Sequence, residues 1–387
     1  MLTVQTRATY PLLVPFVLIY SFLCLASSAI AAPLPAPPQL SANSYLLIDN
    51  DSGRVIAEKN SDLRIEPASL TKMMTAYLVS VELERGSISL EDDVIISEFA
   101  QSMPGSRMFI ESGKTVPLID LLRGLIIQSG NDASVALAEH IAASEAGFAS
   151  MMNQMAEALG MRSTHFVNAS GLPHEEHYTT ATDLAILSRA LIRDYPREYA
   201  MYAIKDYEFN GIVQNNRNKL LWRDESVDGI KTGHTEAAGY CLVASAVRDD
   251  MRLISIILGT ASEKTRASES QQLLNYGFRF FRTARIYAAG ETVEEARIWM
   301  GREERLPLGV ADDLYVTLPR GEFDDLTSQI ELSEYIRAPA RIGQQFGRSV
   351  LKSGEKVVGE VPLLALRKIE EGGIFQRMKD SVMRHFK

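Results

Sequence analysis

The chain has 387 residues, a formal net charge of −9 and 46% hydrophobic residues. That is ordinary globular composition, and the length suits about two domains. The acidic balance argues against a nucleic-acid partner, which calls for a basic face.

The first stretch reads as a targeting segment. Arg7 is its only charge, and an apolar run from Leu12 to Ala32 follows. Ala29-Ile30-Ala31 is a small-x-small cleavage pattern, which makes residues 1–31 a secretory signal peptide. The run is also just long enough to span a bilayer as a retained anchor. A proline-rich leader covers residues 32–43. Cys24 lies in the apolar run, so cleavage would leave Cys241 alone and no internal disulfide.

Ser44 to Asn60 alternates around an Asp-Ser-Gly turn and reads as a hairpin. An apolar-rich helix pattern begins near Ser69, and two further helices flank a break from Gln128 to Asp132. The helix after them ends on Gly160, which suits a C-cap. Another helix has Thr182 or Asp183 near its start and Pro196 just past its end. Gly239 to Gly259 holds two apolar runs joined by a charged turn, a strong hairpin signal, and a helix from Ser268 follows. From Arg285 to about Gly372 the pattern changes to short Val, Ile, Leu and Tyr runs separated by Gly, Asp and Pro, which suggests a small all-β domain. In the last stretch Ile374, Phe375, Met378, Val382 and Phe386 share one helical face, with Arg377, Lys379, Arg384 and Lys387 mostly on the other. Such a basic amphipathic end suits an anionic membrane surface or packing on its own domain.

Three short motifs carry chemistry. Ser69-x-x-Lys72 sits at a helix start, where the hydroxyl meets the positive end of the helix dipole and Lys72 lies one turn on. Ser129-Gly130-Asn131 sits at the break between two helices, and Lys231-Thr232-Gly233 precedes the strong hairpin. Each alone has a plain structural reading as an N-cap, a turn or the start of a strand. Ser-x-x-Lys recurs at Ser349 and Ser353, and Ser41-Ala42-Asn43 repeats the second pattern. Together and in this order the three are the active-serine set of penicillin-binding proteins and serine β-lactamases.

With "LGMRSTHFVNASGL", "NRNKLLW" and "VDGIKTGHTEAAGYCLVASA", the chain resembles the low-molecular-mass D-alanyl-D-alanine carboxypeptidases from about Ser41 to its end. The middle motif is Ser-Gly-Asn, where class A β-lactamases usually have Ser-Asp-Asn, and no Glu-x-x-x-Asn lies between Ser129 and Lys231. The resemblance implies a mixed α/β transpeptidase or serine β-lactamase-like domain over residues 44–283, an antiparallel sheet with flanking helices. A small all-β sandwich over 284–373 and an amphipathic helix over 374–387 complete the expected architecture.

The implied activity is removal of the terminal D-alanine from a peptidoglycan stem peptide, with β-lactams acylating the same serine. Ser69 is the expected nucleophile and Lys72 its base, with a pKa lowered by burial and by the charges of Lys231 and Arg217. Ser129 is expected to pass a proton to the leaving amine, and Asn131 to hold the substrate amide. Lys231, Thr232 and Arg217 form a cationic end for the substrate carboxylate. Resemblance supplies the backbone N–H groups of Ser69 and His234 as the oxyanion hole. No metal or cofactor is expected. His165, His174 and His177 read as a surface loop near the cleft, with a metal site as the lesser alternative. Rival functions are a D,D-endopeptidase and a non-catalytic wall-binding protein. The expected place is the periplasmic face of the inner membrane, held there by the C-terminal helix.

Overall fold

The computed structural model describes residues 34–384. The expected signal peptide, Phe386 and Lys387 lie outside the described residues. Strands β1 (Ser44–Asp49) and β2 (Val55–Lys59) form the expected hairpin. Asp49 closes its turn by accepting from the Ser52 N–H and hydroxyl at 2.8 Å each. Ala68–Thr71 makes one 3-10 turn that runs into α1 (Lys72–Glu84). Every residue of α1 from Lys72 to Glu82 is buried, so this helix lies in the core rather than on the surface.

Strands β3 (Asp93–Ile95) and β4 (Thr115–Pro117) pair as a ribbon around the short helix α2 (Glu98–Ser102). Helix α3 (Leu118–Arg123) passes into a π-helical turn over Gly124–Gln128, and α4 (Asn131–Ala142) starts after the expected break. Helix α5 (Glu145–Leu159) ends on Gly160 at φ +86°, the left-handed C-cap that glycine adopts most readily. Helix α6 (Ala181–Asp194) is capped by Thr180, whose hydroxyl accepts from the Asp183 N–H at 3.1 Å. The cap therefore lies upstream of Thr182 and Asp183. Pro196 opens a further short helix, α7 (Pro196–Tyr199), where its missing N–H is harmless.

A second ribbon, β5 (Asp206–Phe209) with β6 (Ile212–Asn215), and α8 (Leu220–Arg223) lead to three long strands: β7 (Val227–Thr235), β8 (Gly239–Arg248) and β9 (Met251–Thr260). The main sheet is antiparallel in the order β2-β1-β9-β8-β7, so β7 is an edge strand. Both faces are covered, and successive side chains alternate between them. Cys241 and Val243 of β8 join the core around α1, while Leu242 and Ala244 face the cluster of α9 (Glu263–Phe280). Helix α9 starts at Glu263 rather than Ser268 because Ser262 caps it, accepting from the Thr265 N–H at 3.1 Å.

Strands β10 (Phe281–Tyr287), β11 (Thr292–Arg297), β12 (Arg305–Gly309), β13 (Leu314–Pro319), β14 (Leu326–Leu332), β15 (Gln345–Ser353) and β16 (Lys356–Ala365) follow. Five of them form an antiparallel sheet in the order β11-β12-β16-β15-β14, and β10 pairs with β13. Val316 and Leu318 of β13 pack with Leu351 of β15. Buried Asp49 ties this part to the main sheet by accepting from the Thr283 hydroxyl at 2.6 Å.

Helix α10 (Ile374–Arg384) docks through its polar side. Buried Asp380 accepts from the Met300 N–H at 2.6 Å, and Lys379 pairs with Glu304 at 3.2 Å. Ile374, Phe375, Met378 and Val382 remain exposed, Phe375 at 89%. Of the two expectations for the tail, packing on its own domain is the one these contacts meet. The helix turns its apolar side outward. Among the described residues no helix is long and apolar enough to cross a membrane.

Candidate active site

Ser69 does not cap the helix that follows it. Neither the 3-10 turn nor α1 has a side-chain cap, and the Ser69 Oγ accepts from Lys72 Nζ at 3.1 Å. Lys72 Nζ also donates to Asn131 Oδ1 at 2.7 Å and to the Ser170 carbonyl at 2.6 Å. The side chain is fully buried, and this burial lowers its pKa to about 7, against a partial rise from Asp132 and Glu145. The cause is therefore the burial expected from the sequence, without the neighbouring cations expected beside it.

The carbonyl that meets Lys72 is set by a local turn. Asn168 Oδ1 accepts from the N–H groups of Ser170, Gly171 and Leu172 at 3.2, 2.7 and 3.2 Å. A carboxamide that gathers successive N–H groups fixes the loop without help from a strand or helix. Gly171 takes φ +84°, and a Cβ there would lie 1.7 Å from the Ala68 carbonyl oxygen. The loop therefore fits against the Ser69 turn only with glycine.

Ser129 brings its hydroxyl to the cleft through a left-handed backbone, φ +68°. The hydroxyl is buried and has no hydrogen-bond partner among the described residues. It is not one of the three acceptors of Lys72. Asn131 bridges instead, with Oδ1 on Lys72 and Nδ2 donating to the Pro104 carbonyl at 2.6 Å.

The far wall is the edge strand β7. A Cβ on Gly233 would meet the Pro67 carbonyl at 3.0 Å and Leu70 at 3.2 Å, so glycine lets β7 lie against the Ser69 turn. Lys231 and Thr232 are buried, and Lys231 Nζ donates to the Thr232 carbonyl at 3.2 Å. Burial first, then Lys72, Arg266 and Arg217, push the Lys231 pKa well below its ordinary value. Repulsion between the two lysines thus bears on Lys231. Arg217 is exposed and donates to the Ser106 hydroxyl at 3.3 Å. His234 stacks on Tyr240 with ring centroids 3.9 Å apart, so its side chain is occupied outside the motif.

Ser69, Ser129, Asn131, Arg217, Thr232 and His234 line one cleft of about 450 Å³. Sequence reasoning missed Arg266, which lines it too and donates to the Gly233 carbonyl at 3.1 Å. Its signal was Ser262, whose cap places Arg266 in the first turn of α9 and above β7. A larger concavity of about 1,280 Å³ lies by the β8–β9 turn and β10, and no motif residue lines it.

The histidines do not act as one group. His177 is buried, not on a surface loop. It accepts the Val167 N–H on Nδ1 at 3.3 Å, which leaves Nε2 to donate to the Thr71 hydroxyl at 2.8 Å. Burial lowers its pKa to about 4. His165 Nδ1 meets the Glu176 carbonyl at 2.6 Å, and His174 Nδ1 accepts from the Glu176 N–H at 3.1 Å. Among the described residues no group of three His, Cys, Asp or Glu side chains is placed to hold a metal ion.

A mixed α/β domain that presents serine, buried lysine and an edge strand of Lys-Thr-Gly defines an active-serine acyl-transfer enzyme. Residues 31–262 match the D-alanyl-D-alanine carboxypeptidase family, and residues 281–371 match the penicillin-binding protein 5, C-terminal domain. The chain is 43% identical over 357 residues to D-alanyl-D-alanine carboxypeptidase DacA of Escherichia coli (strain K12), covering 90% of this chain and 89% of that one. It is 40% identical to D-alanyl-D-alanine carboxypeptidase DacC of the same strain, over 95% of this chain and 94% of the other. Penicillin-binding protein 5 from Haemophilus influenzae superposes with a TM-score of 0.84 at 40% identity, over 87% of this chain and 100% of that one. The chain therefore belongs to the serine-type D-alanyl-D-alanine carboxypeptidases, a family of peptidase hydrolases.

Proposed function

We propose that this chain removes the terminal D-alanine from peptidoglycan stem peptides through an acyl-enzyme on Ser69. The observation that carries the reading is the amine of Lys72, buried and 3.1 Å from the Ser69 Oγ. A neutral amine has two N–H donors and one lone pair. The two shorter contacts, to Asn131 Oδ1 and the Ser170 carbonyl, use the donors. The lone pair is left for the Ser69 hydroxyl proton. Ser69 then attacks the carbonyl between the last two D-alanines, and a tetrahedral oxyanion forms between the N–H groups of Ser69 and His234. Its collapse breaks the amide, the terminal D-alanine leaves with a proton relayed through Ser129, and water hydrolyses the ester.

The free carboxylate of the last D-alanine sits with Lys231, Thr232 and Arg217, and Arg266 adds to the same field. A carboxylate relieves the repulsion that these cations impose on one another, so the site selects a chain end. Penicillin mimics that end and acylates Ser69. Residues 44–283 form the peptidase, and residues 284–373 space it from the bilayer. Release of free D-alanine from a D-Ala-D-Ala pentapeptide, with one penicilloyl adduct per chain, is the expected result. Cleavage of crosslinked dimers without D-alanine release would make it an endopeptidase. Absence of both activities would leave a wall-binding protein.

The exposed apolar side of α10 supports attachment to the periplasmic face of the inner membrane, after export by the signal peptide. A chain ending at Gly373 is expected to lose flotation with anionic vesicles and keep its penicillin adduct. Equal flotation of both chains would sink this placement.

A further inference from the structure

The loop that offers the Ser170 carbonyl to Lys72 is held from two helices as well as from within. Asn168 fixes its turn, and Ala169, between the two, is held on both of its polar groups. The Thr75 hydroxyl of α1 donates to the Ala169 carbonyl at 2.7 Å. The Glu145 carboxylate of α5 accepts from the Ala169 N–H at 3.0 Å. The carbonyl that meets Lys72 Nζ lies one residue further on. A shift of Ala169 is passed to it across a single residue, whose only soft backbone torsions are φ and ψ.

Glu145 is set in place by its own helix. It is the first residue of α5, behind Ser144, whose hydroxyl caps the helix by accepting from the Gly147 N–H at 3.1 Å. The positive end of the helix dipole favours a carboxylate in this first turn. Burial raises the Glu145 pKa, while the Ala169 N–H and the charge of Lys72 work against that rise.

Charged groups meet Lys72 from several elements. Asp132 of α4 and Glu145 of α5 favour its protonated form. Lys231 of β7 and His177, on the Thr71 hydroxyl, both feel its positive charge and lose their own protons more easily. Asp132 is committed elsewhere, since its carboxylate accepts from the N–H groups of Met108 and Phe109 at 3.0 and 2.9 Å. Glu139 of α4 bears on Glu145 and accepts from the Ser97 hydroxyl at 2.6 Å. Glu145 is thus the carboxylate that both holds the loop and bears on the amine.

We propose that Glu145 is a positioning residue for Lys72: its carboxylate holds the loop that offers the Ser170 carbonyl to the amine, and its negative charge faces that amine. This rests on the reading of Lys72 as the base of Ser69. The loop contact keeps a donor of Lys72 on Ser170 and its lone pair on Ser69. The charge opposes burial, which favours the neutral amine, and so raises the pH at which Lys72 begins to serve.

The test follows the rate of penicilloyl adduct formation from pH 5 to pH 8 in the natural chain, Glu145→Gln and Glu145→Ala, with a thermal melt of each. Glutamine keeps an oxygen for the Ala169 N–H and removes the charge. Its rate should titrate at a lower pH than that of the natural chain, by roughly 0.2–0.7 of a unit, the worth of a partly exposed charge pair. Alanine removes both the charge and the contact. Its midpoint should fall likewise, and its rate at pH 8 should drop by about tenfold or more, the worth of a hydrogen bond to a charged group. Glutamine should recover most of that loss. A residue that only stabilised the fold would change the rate without moving the midpoint. An unmoved midpoint in both variants, or a natural rate at pH 8 in Glu145→Ala, overturns the inference while the natural chain still reacts and titrates. A natural chain that forms no adduct, or whose rate is flat across this range, defeats the Lys72 reading and this inference together.

Discussion

Replacing Ser69 by alanine is expected to abolish the penicilloyl adduct in intact-protein mass spectrometry, and replacing Lys72 by arginine to slow its formation. The first change removes the proposed nucleophile. The second keeps a cation in the same place but removes the proposed base. Lysine can lose its proton because burial brings its pKa to about 7. A guanidinium stays charged at any working pH. General-base assistance contributes about 10²- to 10⁴-fold, so Lys72→Arg should acylate at least about a hundredfold more slowly. Lys72→Met gives a neutral control of similar size, and a thermal melt shows that each variant is folded. The natural chain carries a further signature. Lys72 is protonated below about pH 7 and cannot accept the Ser69 proton, so acylation should fall as pH drops through that value. Comparable acylation by Lys72→Arg, or a rate flat from pH 5 to pH 8, would remove Lys72 from the role.

The second large effect is expected at a residue with no side chain. Gly171→Ala should destabilise the fold by roughly 3 kcal/mol, from overpacking and a left-handed backbone together. The added methyl would lie 1.7 Å from the Ala68 carbonyl oxygen and 2.3 Å from its carbon. Both are backbone atoms of the turn that carries Ser69, so relief must come from moving one loop. Either movement separates the Ser170 carbonyl or Ser69 from Lys72, and the penicillin adduct should slow together with the loss of stability. Gly86→Ala is the matched control. It also has a left-handed φ, +70°, but nothing lies within 4 Å of its added carbon. A smaller loss of about 1 kcal/mol is expected there, with acylation kept. Equal effects at the two sites, read by urea unfolding, would show that the backbone angle matters and the contact does not.

Much of this site was legible because its parts are local. Ser69 and Lys72 are three residues apart at a helix start, and that spacing alone puts an amine one turn above a hydroxyl. The turn at Asp51-Ser52-Gly53, the break at Ser129 and the C-cap at Gly160 follow from residue chemistry within a few positions. Less was legible where a signal was faint or shared. Thr180, Thr182 and Asp183 are all good caps, and Thr180 has the role because its hydroxyl reaches the Asp183 N–H. The late start assigned to α9 hid Arg266, because a charged first turn looks like a loop until its cap is recognised. His177 looked like part of a polar loop and is instead buried beneath the start of α1, on Thr71.

By itself the sequence determined which groups the protein has for chemistry, their order along the chain and the short turns that present them. These depend on covalent geometry and on neighbours a few residues away. Only the tertiary structure decided what state those groups are in. The pKa of Lys72 comes from burial beside a core assembled from residues as far apart as Leu46 and Leu258. Its partners Asn131 and Ser170 lie 59 and 98 residues away. Arg266 reaches β7 only after α9 folds back across the sheet, and α10 turns its apolar side outward because Asp380 and Lys379 hold its polar side on Met300 and Glu304. Desolvation and long-range hydrogen bonds arise from residues remote in the chain, so no local pattern could have stated them.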